Sequence, residues 1–418
     1  MSKFVINGGK KLEGSIEVRG AKNATFPLLA ASLLTDEDCV IKNVPLIEDV
    51  LKMIKILKSI GVDVQQPEER TLVLNASGLN LDKVKKDLVK KLRGSVLFYG
   101  PLLARLGELE LPPPGGCLIG ARPIDTHLDA FEQLGVNVEQ EGQTYNLTKE
   151  REGSTTCVLN EMSVTGTENA ILLSALSPYE TTIKIADLDY PVQQLLTFLQ
   201  KMGVEVKTGH HEITIKGKED LEGAEHTIMS DPIEAGTFVL TGLATNSEIT
   251  VKGVERDFLE LFLKKLKQAG ANFELEGKNL KLNHWDKLEI DEVQSLPFPG
   301  LHTDLQSAWA VAATQAEGST LIHDPLYEGR FRYLEELTRM GADILFADPH
   351  RVVVGGPSDL YGKDLGSFDL RGGAALIIAA LMAEGKSSIE DTYQIDRGYE
   401  KIEQRLQKLG ADIKRVEN

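Results

Sequence analysis

The sequence predicts an α/β protein of two domains, each built from three repeated units of about 70 residues that combine buried helices with strands. Two recurring patterns predict this architecture. In the first, a helix-like apolar stripe ends in a small residue and a glycine, and a short alternating strand follows. In the second, a nearly all-apolar helix leads through a turn into a strand. Each pattern occurs six times along the chain.

The first pattern is typical of an amphipathic helix that ends at a glycine. Apolar residues recur at i, i+3, i+4 and i+7, which gives the helix one apolar face. The glycine stands where a helix C-cap favours a left-handed residue. Consecutive glycines are 74, 68, 67, 71 and 69 residues apart. The six glycines are Gly61, Gly135, Gly203, Gly270, Gly341 and Gly410.

The second pattern predicts one buried helix in each unit, because a helix that is apolar on every side must be covered by protein. Six such units are expected to form two domains of three. A solenoid is the weaker alternative, because the units are long and each carries its own buried helix. The predicted buried helices begin at Lys22-Asn23, Arg93, Ser163 to Thr167, Glu234, Asp304 and Arg371.

Composition and charge exclude several classes of protein. A formal net charge of −17 disfavours nonspecific nucleic-acid binding, so any anion site must be a local cluster of Lys and Arg. Three cysteines argue against a disulfide framework and fit a reducing compartment. The N-terminal stretch lacks the apolar core of a signal peptide, and the apolar run at 374–383 is too short to span a bilayer. We therefore expect a cytoplasmic protein without a membrane or nucleic-acid partner.

Cations at the start of buried helices predict an anionic ligand. Helix N-termini present free N–H groups and the positive end of the helix dipole, so a cation there is unfavourable by itself. Lys22, Arg93 and Arg371 nevertheless stand at these positions. Simple N-capping is the alternative at Ser163 and Asp304, since Ser and Asp are good N-cap residues.

Several motifs carry a resemblance to a known family. They are "KNATFP" at the first helix, "PPGGCLIGARPIDTH" at 113–127, "TDLQ", "DLRGG" and "IDRGYEKIE". Together with the six units, they closely resemble the UDP-N-acetylglucosamine 1-carboxyvinyltransferase family over nearly the full length. The resemblance implies two inside-out α/β domains of three units each. One domain would comprise 1–21 and 230–418 and the other 22–229, with the active site in the cleft between them.

The family transfers the enolpyruvyl group of phosphoenolpyruvate to the 3-hydroxyl of UDP-N-acetylglucosamine and releases phosphate, the first committed step of peptidoglycan biosynthesis. Both substrates are polyanions, which accounts for the cations at helix starts. The resemblance implies two small-molecule substrates and neither a cofactor nor a metal. The oligomeric state is left open.

The resemblance also implies roles for individual residues. The catalytic group would be Lys22, Cys117, Asp304 and Arg397, of which Asp304 takes the proton from the sugar hydroxyl. Cys117, on a mobile lid, would be the acid for the methylene carbon. Phosphoenolpyruvate or the nucleotide sugar would be bound by Lys22, Asn23, Arg93, Arg122, Pro123, Ile124, Asp125, Thr126, His127, Ser163, Val164, Thr165, Gly166, Asp304, Arg330, Arg371 and Arg397.

The chemistry suits a cysteine in this loop. A thiol with an ordinary pKa of about 8.5 can give and retake a proton, and nearby arginines favour its thiolate. The surrounding prolines and glycines permit a loop that closes over substrate and excludes water. Replacing Cys117 by Ser should abolish most activity and the reaction with the epoxide phosphonate fosfomycin. Cys39 and Cys157 lie in apolar, strand-like runs and are predicted to be small buried hydrophobes.

Several substitutions depart from the family pattern on the nucleotide-sugar side. Glu161 replaces the usual Lys before the diphosphate-contacting stretch, Thr165 replaces its first glycine, and Pro232 replaces an Arg. An acid at 161 would repel a diphosphate. Two alternatives therefore stay open: the same chemistry on another hydroxyl acceptor, or a catalytically weak paralogue that binds a nucleotide sugar and regulates wall synthesis.

Overall fold

The computed structural model describes residues 2–115, 120, 123–142, 144–151 and 153–417. The chain divides into two compact units. The first unit contains 2–19 and 230–417, and the second contains 20–115 and 123–229 apart from the gaps just given. No helix in the described ranges has the length and apolar character needed to cross a membrane.

Three four-stranded mixed sheets belong to the first unit, counted over the residues described. In each, one parallel strand pair adjoins antiparallel pairs. In spatial order, the sheets contain Asp364–Gly366, Lys386–Glu390, Ser2–Asn7 and Asp412–Glu417; Phe273–Glu276, Asn279–Leu282, Glu248–Lys252 and Glu13–Glu17; and Glu292–Gln294, Gly318–His323, Arg351–Gly356 and Asp343–Asp348.

The second unit repeats this organisation with three further sheets, two of four strands and one of three in the described part of the chain. In spatial order, they contain Glu205–Thr208, Glu212–Lys216, Glu180–Lys184 and Thr155–Val158; Glu225–Thr227, Cys39–Lys42, Thr71–Asn75 and Asp63–Glu68; and Glu108–Leu111, Thr144–Lys149 and Val136–Glu141.

The helices alternate between buried and amphipathic along the chain. The buried α-helices are Lys22–Ala31, Tyr99–Leu106, Val164–Ser174, Pro232–Ala244, Gln306–Ala313 and Leu370–Met382. The amphipathic ones are Glu48–Ser59, Asp125–Gln133, Tyr190–Lys201, Glu260–Gln268, Tyr333–Arg339 and Ile402–Gln407. Shorter helices are Lys86–Val89 and Thr392–Asp396, and 3₁₀ turns are Ser32–Leu34, Leu81–Lys83, Arg93–Phe98, Arg256–Phe258 and Thr303–Leu305.

The predicted glycine caps are confirmed. All six glycines have φ between 86° and 110°, the left-handed region that a side chain rarely adopts. The strand after each glycine is an edge strand of its sheet. The glycine therefore turns the chain from the amphipathic helix into the edge strand of a sheet.

In the first unit, the three buried helices pack against one another. Pro232–Ala244 and Gln306–Ala313 contact each other, and both contact Leu370–Met382. Trp309 is fully buried in the middle of this core. Such packing fixes the starts of the helices, where the charged residues of this unit lie.

Candidate active site

Asp304 lies between two arginines in the first unit. Arg330 Nη2 contacts one carboxylate oxygen of Asp304, and Arg371 Nε donates to the other at 3.0 Å. Both guanidinium groups are almost completely buried, with 4% and 3% of the residue exposed, whereas the Asp304 side chain is 20% exposed. Three of the predicted site residues are thus brought together in one cluster.

The local fold explains why Asp304 is available to the arginines. Asp304 was a possible helix N-cap, but the cap of its 3₁₀ turn is His302, whose Nδ1 accepts from the Asp304 N–H at 3.1 Å. The cap of the helix that carries Arg371 is Asp369, whose carboxylate accepts from the Arg371 N–H at 3.0 Å. Because other side chains serve as caps, the Asp304 carboxylate is left to pair with cations.

The arginines set the protonation state of the cluster. Burial by itself would raise the pKa of the Asp304 carboxyl, but Arg371, Arg330 and His302 together hold that pKa well below its ordinary value. Burial also lowers the pKa of His302. Asp304 is therefore a carboxylate at neutral pH.

Arg397 follows the short helix Thr392–Asp396 and is half-buried. Its Nη1 donates to Gln394 at 3.2 Å. Asp396 is adjacent to Arg397 in the sequence and could in principle pair with it. Asp396 instead receives two hydrogen bonds of 2.7 Å from Arg415. The carboxylate next to Arg397 is thus occupied by a different cation.

In the second unit, Lys22 is the first residue of its buried helix and forms an ion pair. Its Nζ lies 2.9 Å from Asp49 Oδ2, and both side chains are nearly buried. Lys22 also lies over the ring of Phe26 at 5.8 Å. The following residue, Asn23, is half-buried. Asp49 offsets the unfavourable position of a cation at a helix N-terminus.

Arg93 begins the 3₁₀ turn Arg93–Phe98, and its Nη2 donates to the carbonyl of Pro123 at 2.9 Å. This bond ties the start of the second buried helix to the segment that precedes Asp125–Gln133. In that segment Ile124 is buried, while Pro123 and Asp125 are exposed. Two predicted substrate-binding stretches therefore lie side by side.

A neutral hydrogen-bond network joins three helix starts. Asn169 Nδ2 donates to His127 Nδ1 at 2.9 Å and to the Val96 carbonyl at 2.9 Å, and its Oδ1 accepts from the Gly100 N–H. Since Nδ1 of His127 accepts, its proton lies on Nε2, which donates to Thr165 Oγ1 at 3.2 Å. His127 is 2% exposed, and its Nε2 holds the hydroxyl of Thr165.

The start of helix Val164–Ser174 lies beside Thr126. Ser163 is its N-cap and accepts from the Gly166 N–H at 3.2 Å, which confirms the capping prediction for this serine. A Cβ on Gly166 would lie 3.2 Å from the Thr126 methyl group, so only glycine fits without adjustment. Thr126 Oγ1 donates to Glu161 Oε1 at 3.1 Å. The acid that departs from the family pattern thus contacts a predicted substrate-binding residue.

Some predicted residues cannot be placed, and some important ones were not predicted. Cys117 and Arg122 lie outside the described residues. Asp49 and Asn169 were missed, because their partners are 27 residues or more away in sequence. Glu234 is a structural residue that forms a buried two-point ion pair with Arg405. No group of three described His, Cys, Asp or Glu side chains could hold a metal ion.

The other two cysteines are as predicted. Cys39 and Cys157 are completely buried. Burial raises the pKa of Cys39 to about 11 and that of Cys157 to about 12, so neither forms an appreciable amount of thiolate at neutral pH. Pro232 occupies the first position of its helix behind the N-cap Asp231, where the missing N–H of proline costs nothing.

With this fold and these clusters in place, comparison with known proteins assigns the class. The family described as EPSP synthase (3-phosphoshikimate 1-carboxyvinyltransferase) matches residues 6–406, and the chain belongs to this family of enolpyruvyl transferases. Among solved structures, the enolpyruvyl transferase NikO from Streptomyces tendae aligns with a TM-score of 0.90 at 24% identity over 99% of both chains. EPSP synthase from Acinetobacter baumannii aligns with a TM-score of 0.74 at 16% identity over the full length of both. These structures confirm the two-domain α/β fold.

Closer relatives in sequence share one name. The UDP-N-acetylglucosamine 1-carboxyvinyltransferase of Campylobacter fetus is 41% identical over the full length of both chains. That of Treponema denticola is 37% identical over 99% of both chains. The resemblance drawn from the motifs is thereby confirmed.

Proposed function

We propose that this chain transfers the enolpyruvyl group of phosphoenolpyruvate to the 3-hydroxyl of UDP-N-acetylglucosamine and releases phosphate, the first step committed to peptidoglycan. The observation that carries the proposal is the pairing of the Asp304 carboxylate with Arg330 and Arg371. This cluster combines a proton acceptor with two groups that bind carboxylate and phosphate in a two-point fashion. The full-length relatives that carry the same name support the choice of acceptor.

The first half of the reaction is an addition. Cys117 gives a proton to the methylene carbon of phosphoenolpyruvate, which makes the neighbouring carbon electron-poor. The sugar hydroxyl forms a C–O bond to that carbon and passes its proton to Asp304. A carboxylate at this point both accepts the proton and stabilises the developing positive charge.

The second half is an elimination. The Cys117 thiolate takes a proton back from the new methyl group, the C–O bond to phosphate breaks, the C=C bond forms again, and the released phosphate takes the proton held by Asp304. Phosphoenolpyruvate supplies a carboxylate and a phosphate that compete with Asp304 for Arg330 and Arg371. As the arginines bind these anions, the pKa of Asp304 rises from its depressed value, and Asp304 becomes the stronger base that the addition needs.

Phosphate release measured with each substrate omitted in turn tests the proposal. We expect release only when phosphoenolpyruvate and UDP-N-acetylglucosamine are both present. Cys117→Ser should lose most of this activity, whereas Cys157→Ser, which changes a buried thiol of raised pKa, should retain it. Release that does not need the nucleotide sugar, or full activity in Cys117→Ser, would contradict the proposal.

A second candidate, the same chemistry on another hydroxyl acceptor, is favoured by one observation. Glu161 is exposed and accepts from Thr126, so a negative charge stands among residues assigned to the nucleotide sugar. A panel of nucleotide sugars in the same phosphate assay separates the two candidates. A kcat/KM for another acceptor at least tenfold above that for UDP-N-acetylglucosamine would favour the second.

A further inference from the structure

A cleft of about 740 Å³ lies in the first unit, between helix Glu260–Gln268, strand Phe273–Glu276 and the segment 298–302. Phenylalanine and leucine form most of its walls. The rings of Phe258 and Phe298 form a tilted contact, with their centroids 5.8 Å apart and their planes at 44°. This volume is within the range of sites that take small organic ligands.

The cleft exists because its helix is poorly covered. Helix Glu260–Gln268 buries only Phe262 and Leu266, whereas the corresponding helix Tyr190–Lys201 buries seven residues. Leu261 and Phe273 are consequently only half-buried, and both line the cleft. The apolar walls are therefore accessible from solvent.

Charges along the rim are unevenly distributed. Glu260, Lys264 and Lys267 are four and three residues apart, so they share one face of the helix. Asp257 lies near Glu260 at the start of the helix, with Arg256 beside it, and the last two turns carry only the lysines. No ion pair or hydrogen bond joins the Lys264 or Lys267 side chain to another described residue. In a chain with a net charge of −17, this end of the cleft is a local cationic rim.

We propose that this cleft binds a small amphipathic anion with a flat aromatic body and a single carboxylate. The aromatic body packs against the surface formed by the contacting rings of Phe258 and Phe298, because aromatic rings prefer offset or tilted neighbours. The carboxylate lies at Lys264 and Lys267, and the acidic start of the helix sets the orientation by repelling it. The two lysines determine affinity for the charged group, and the phenylalanines determine affinity for the body.

The position of the cleft couples this ligand to the reaction. His302 and Leu305 also line the cleft, and Asp304 lies between them in the same turn. A ligand that packs against both residues restricts the turn that presents Asp304 to its arginines. Only this coupling rests on the proposed function, because binding itself can be measured without turnover.

Calorimetric titration of the full chain with 2-naphthoate tests the binding. We expect one site, weaker binding of the neutral 2-naphthalenemethanol, and no displacement of naphthoate by UDP-N-acetylglucosamine.

The variant Lys264→Gln/Lys267→Gln should bind naphthoate roughly three- to tenfold more weakly, as expected for two exposed charges. The control Lys252→Gln/Lys281→Gln, which changes two exposed lysines elsewhere in the unit, should bind like the wild type. Phe298→Ser should weaken both probes.

Three results would overturn the binding site: no binding of naphthoate, equal affinity for the neutral alcohol, or equal affinity in Lys264→Gln/Lys267→Gln. At the concentration that half-saturates the wild type, naphthoate should change the kcat of phosphate release at least 1.5-fold in the wild type, and less in that variant. Binding without any change in kcat would overturn the coupling. A chain with no turnover at all would contradict the proposed function and leave the binding result intact.

Discussion

The third and fifth of the six repeated units, which contain helices Val164–Ser174 and Gln306–Ala313, both carry an acid next to a threonine. The surroundings of the two acids are opposite. Thr167-Glu168 lie in the first turns of helix Val164–Ser174, and Thr303-Asp304 lie in the 3₁₀ turn that leads into helix Gln306–Ala313. Each threonine hydroxyl is bonded to an aspartate that follows the next strand: Thr167 accepts from the Asp187 N–H, and Thr303 donates to Asp324. Asp187 and Asp324 each accept from the N–H two residues later.

The difference lies in what surrounds the acid. Asp304 is paired with Arg330 and Arg371, and its pKa is held well below the ordinary value. Glu168 is 1% exposed, and no described group bonds to its Oε1. Burial, followed by the nearby Asp187 and Asp189, raises the pKa of Glu168 well above the ordinary value. One backbone framework therefore supports a carboxylate in one unit and a neutral carboxylic acid in the other.

This contrast shows that the repeat fixes the position of the acid, while the charged residues around it decide its protonation state. The arginines that act on Asp304 come from a loop after the next strand and from the start of another buried helix. In the third repeated unit, the residue after Glu168 is Asn169, whose amide bonds to neutral groups of its neighbours. At the corresponding position the fifth unit has Leu305, which is buried. The two repeated units therefore differ in the side chains that follow the acid and in the residues that these side chains contact.

The largest effect is expected from Asp304→Asn. Loss of the proton acceptor should lower kcat for phosphate release by about 10²- to 10⁴-fold. Two buried guanidinium groups also lose their carboxylate, which should cost roughly 1–3 kcal/mol because Asp304 itself is 20% exposed. Trp285 and Trp309 are the only tryptophans and both belong to the first unit, so urea unfolding followed by tryptophan fluorescence measures this cost locally.

Asp348→Asn is the matched control, since it removes a carboxylate from an Asp–Arg pair at the surface of the same unit. It should leave kcat unchanged and alter stability by less than about 0.5 kcal/mol. If Asp304→Asn retained more than a tenth of the wild-type kcat while still folded, Asp304 would not be the proton acceptor.

An intermediate effect is expected from Asn169→Ala. The change leaves the Gly100 N–H, the Val96 carbonyl and His127 without their partner in a buried site, at a cost of roughly 2–3 kcal/mol. Hydrogen exchange of helices Tyr99–Leu106 and Val164–Ser174, followed by mass spectrometry, should show faster exchange in both. The exposed Asn137→Ala serves as control and should leave both helices protected. Unchanged exchange in Asn169→Ala would mean that the network does not hold the helix starts together.

Much of the fold could be predicted because it follows from local signals. The six glycines mark helix ends through their own backbone preference, and the apolar periodicity marks which helices are buried. The segment 83–94 is less regular, because its only α-helix is the four-residue Lys86–Val89. That helix buries a single residue, Val89, so there is little packing to extend it.

The candidate site was less predictable because its chemistry depends on long-range partners. The sequence shows that Lys22 and Arg371 are unfavourable cations at helix starts. It does not show that Asp49 and Asp304 neutralise them. Glu168 gave no signal, since a single acid in an apolar run resembles any partly exposed helix residue. Burial and the charge of distant neighbours decide its protonation, and both follow only from the tertiary structure.

The most diagnostic effect is expected from Glu168→Gln, because this effect changes with pH. The unfolded chain ionises Glu168 near its ordinary pKa of about 4.3, and the folded chain does so only at higher pH. The contribution of neutral Glu168 to the free energy of unfolding is thus fully present below pH 4.3. It is lost as the pH rises through the folded pKa, by up to about 1.4 kcal/mol per pH unit. Gln cannot ionise and lacks this loss.

Hydrogen exchange of Val164–Ser174 at pH 5 and pH 8, corrected for intrinsic rates, should show Glu168→Gln gaining protection over the wild type as the pH rises. Glu180→Gln, an exposed acid in the same unit, should follow the wild type at both values. If Glu168→Gln behaved the same way as this control, Glu168 would be ionised in the folded protein, and the contrast with Asp304 would fail.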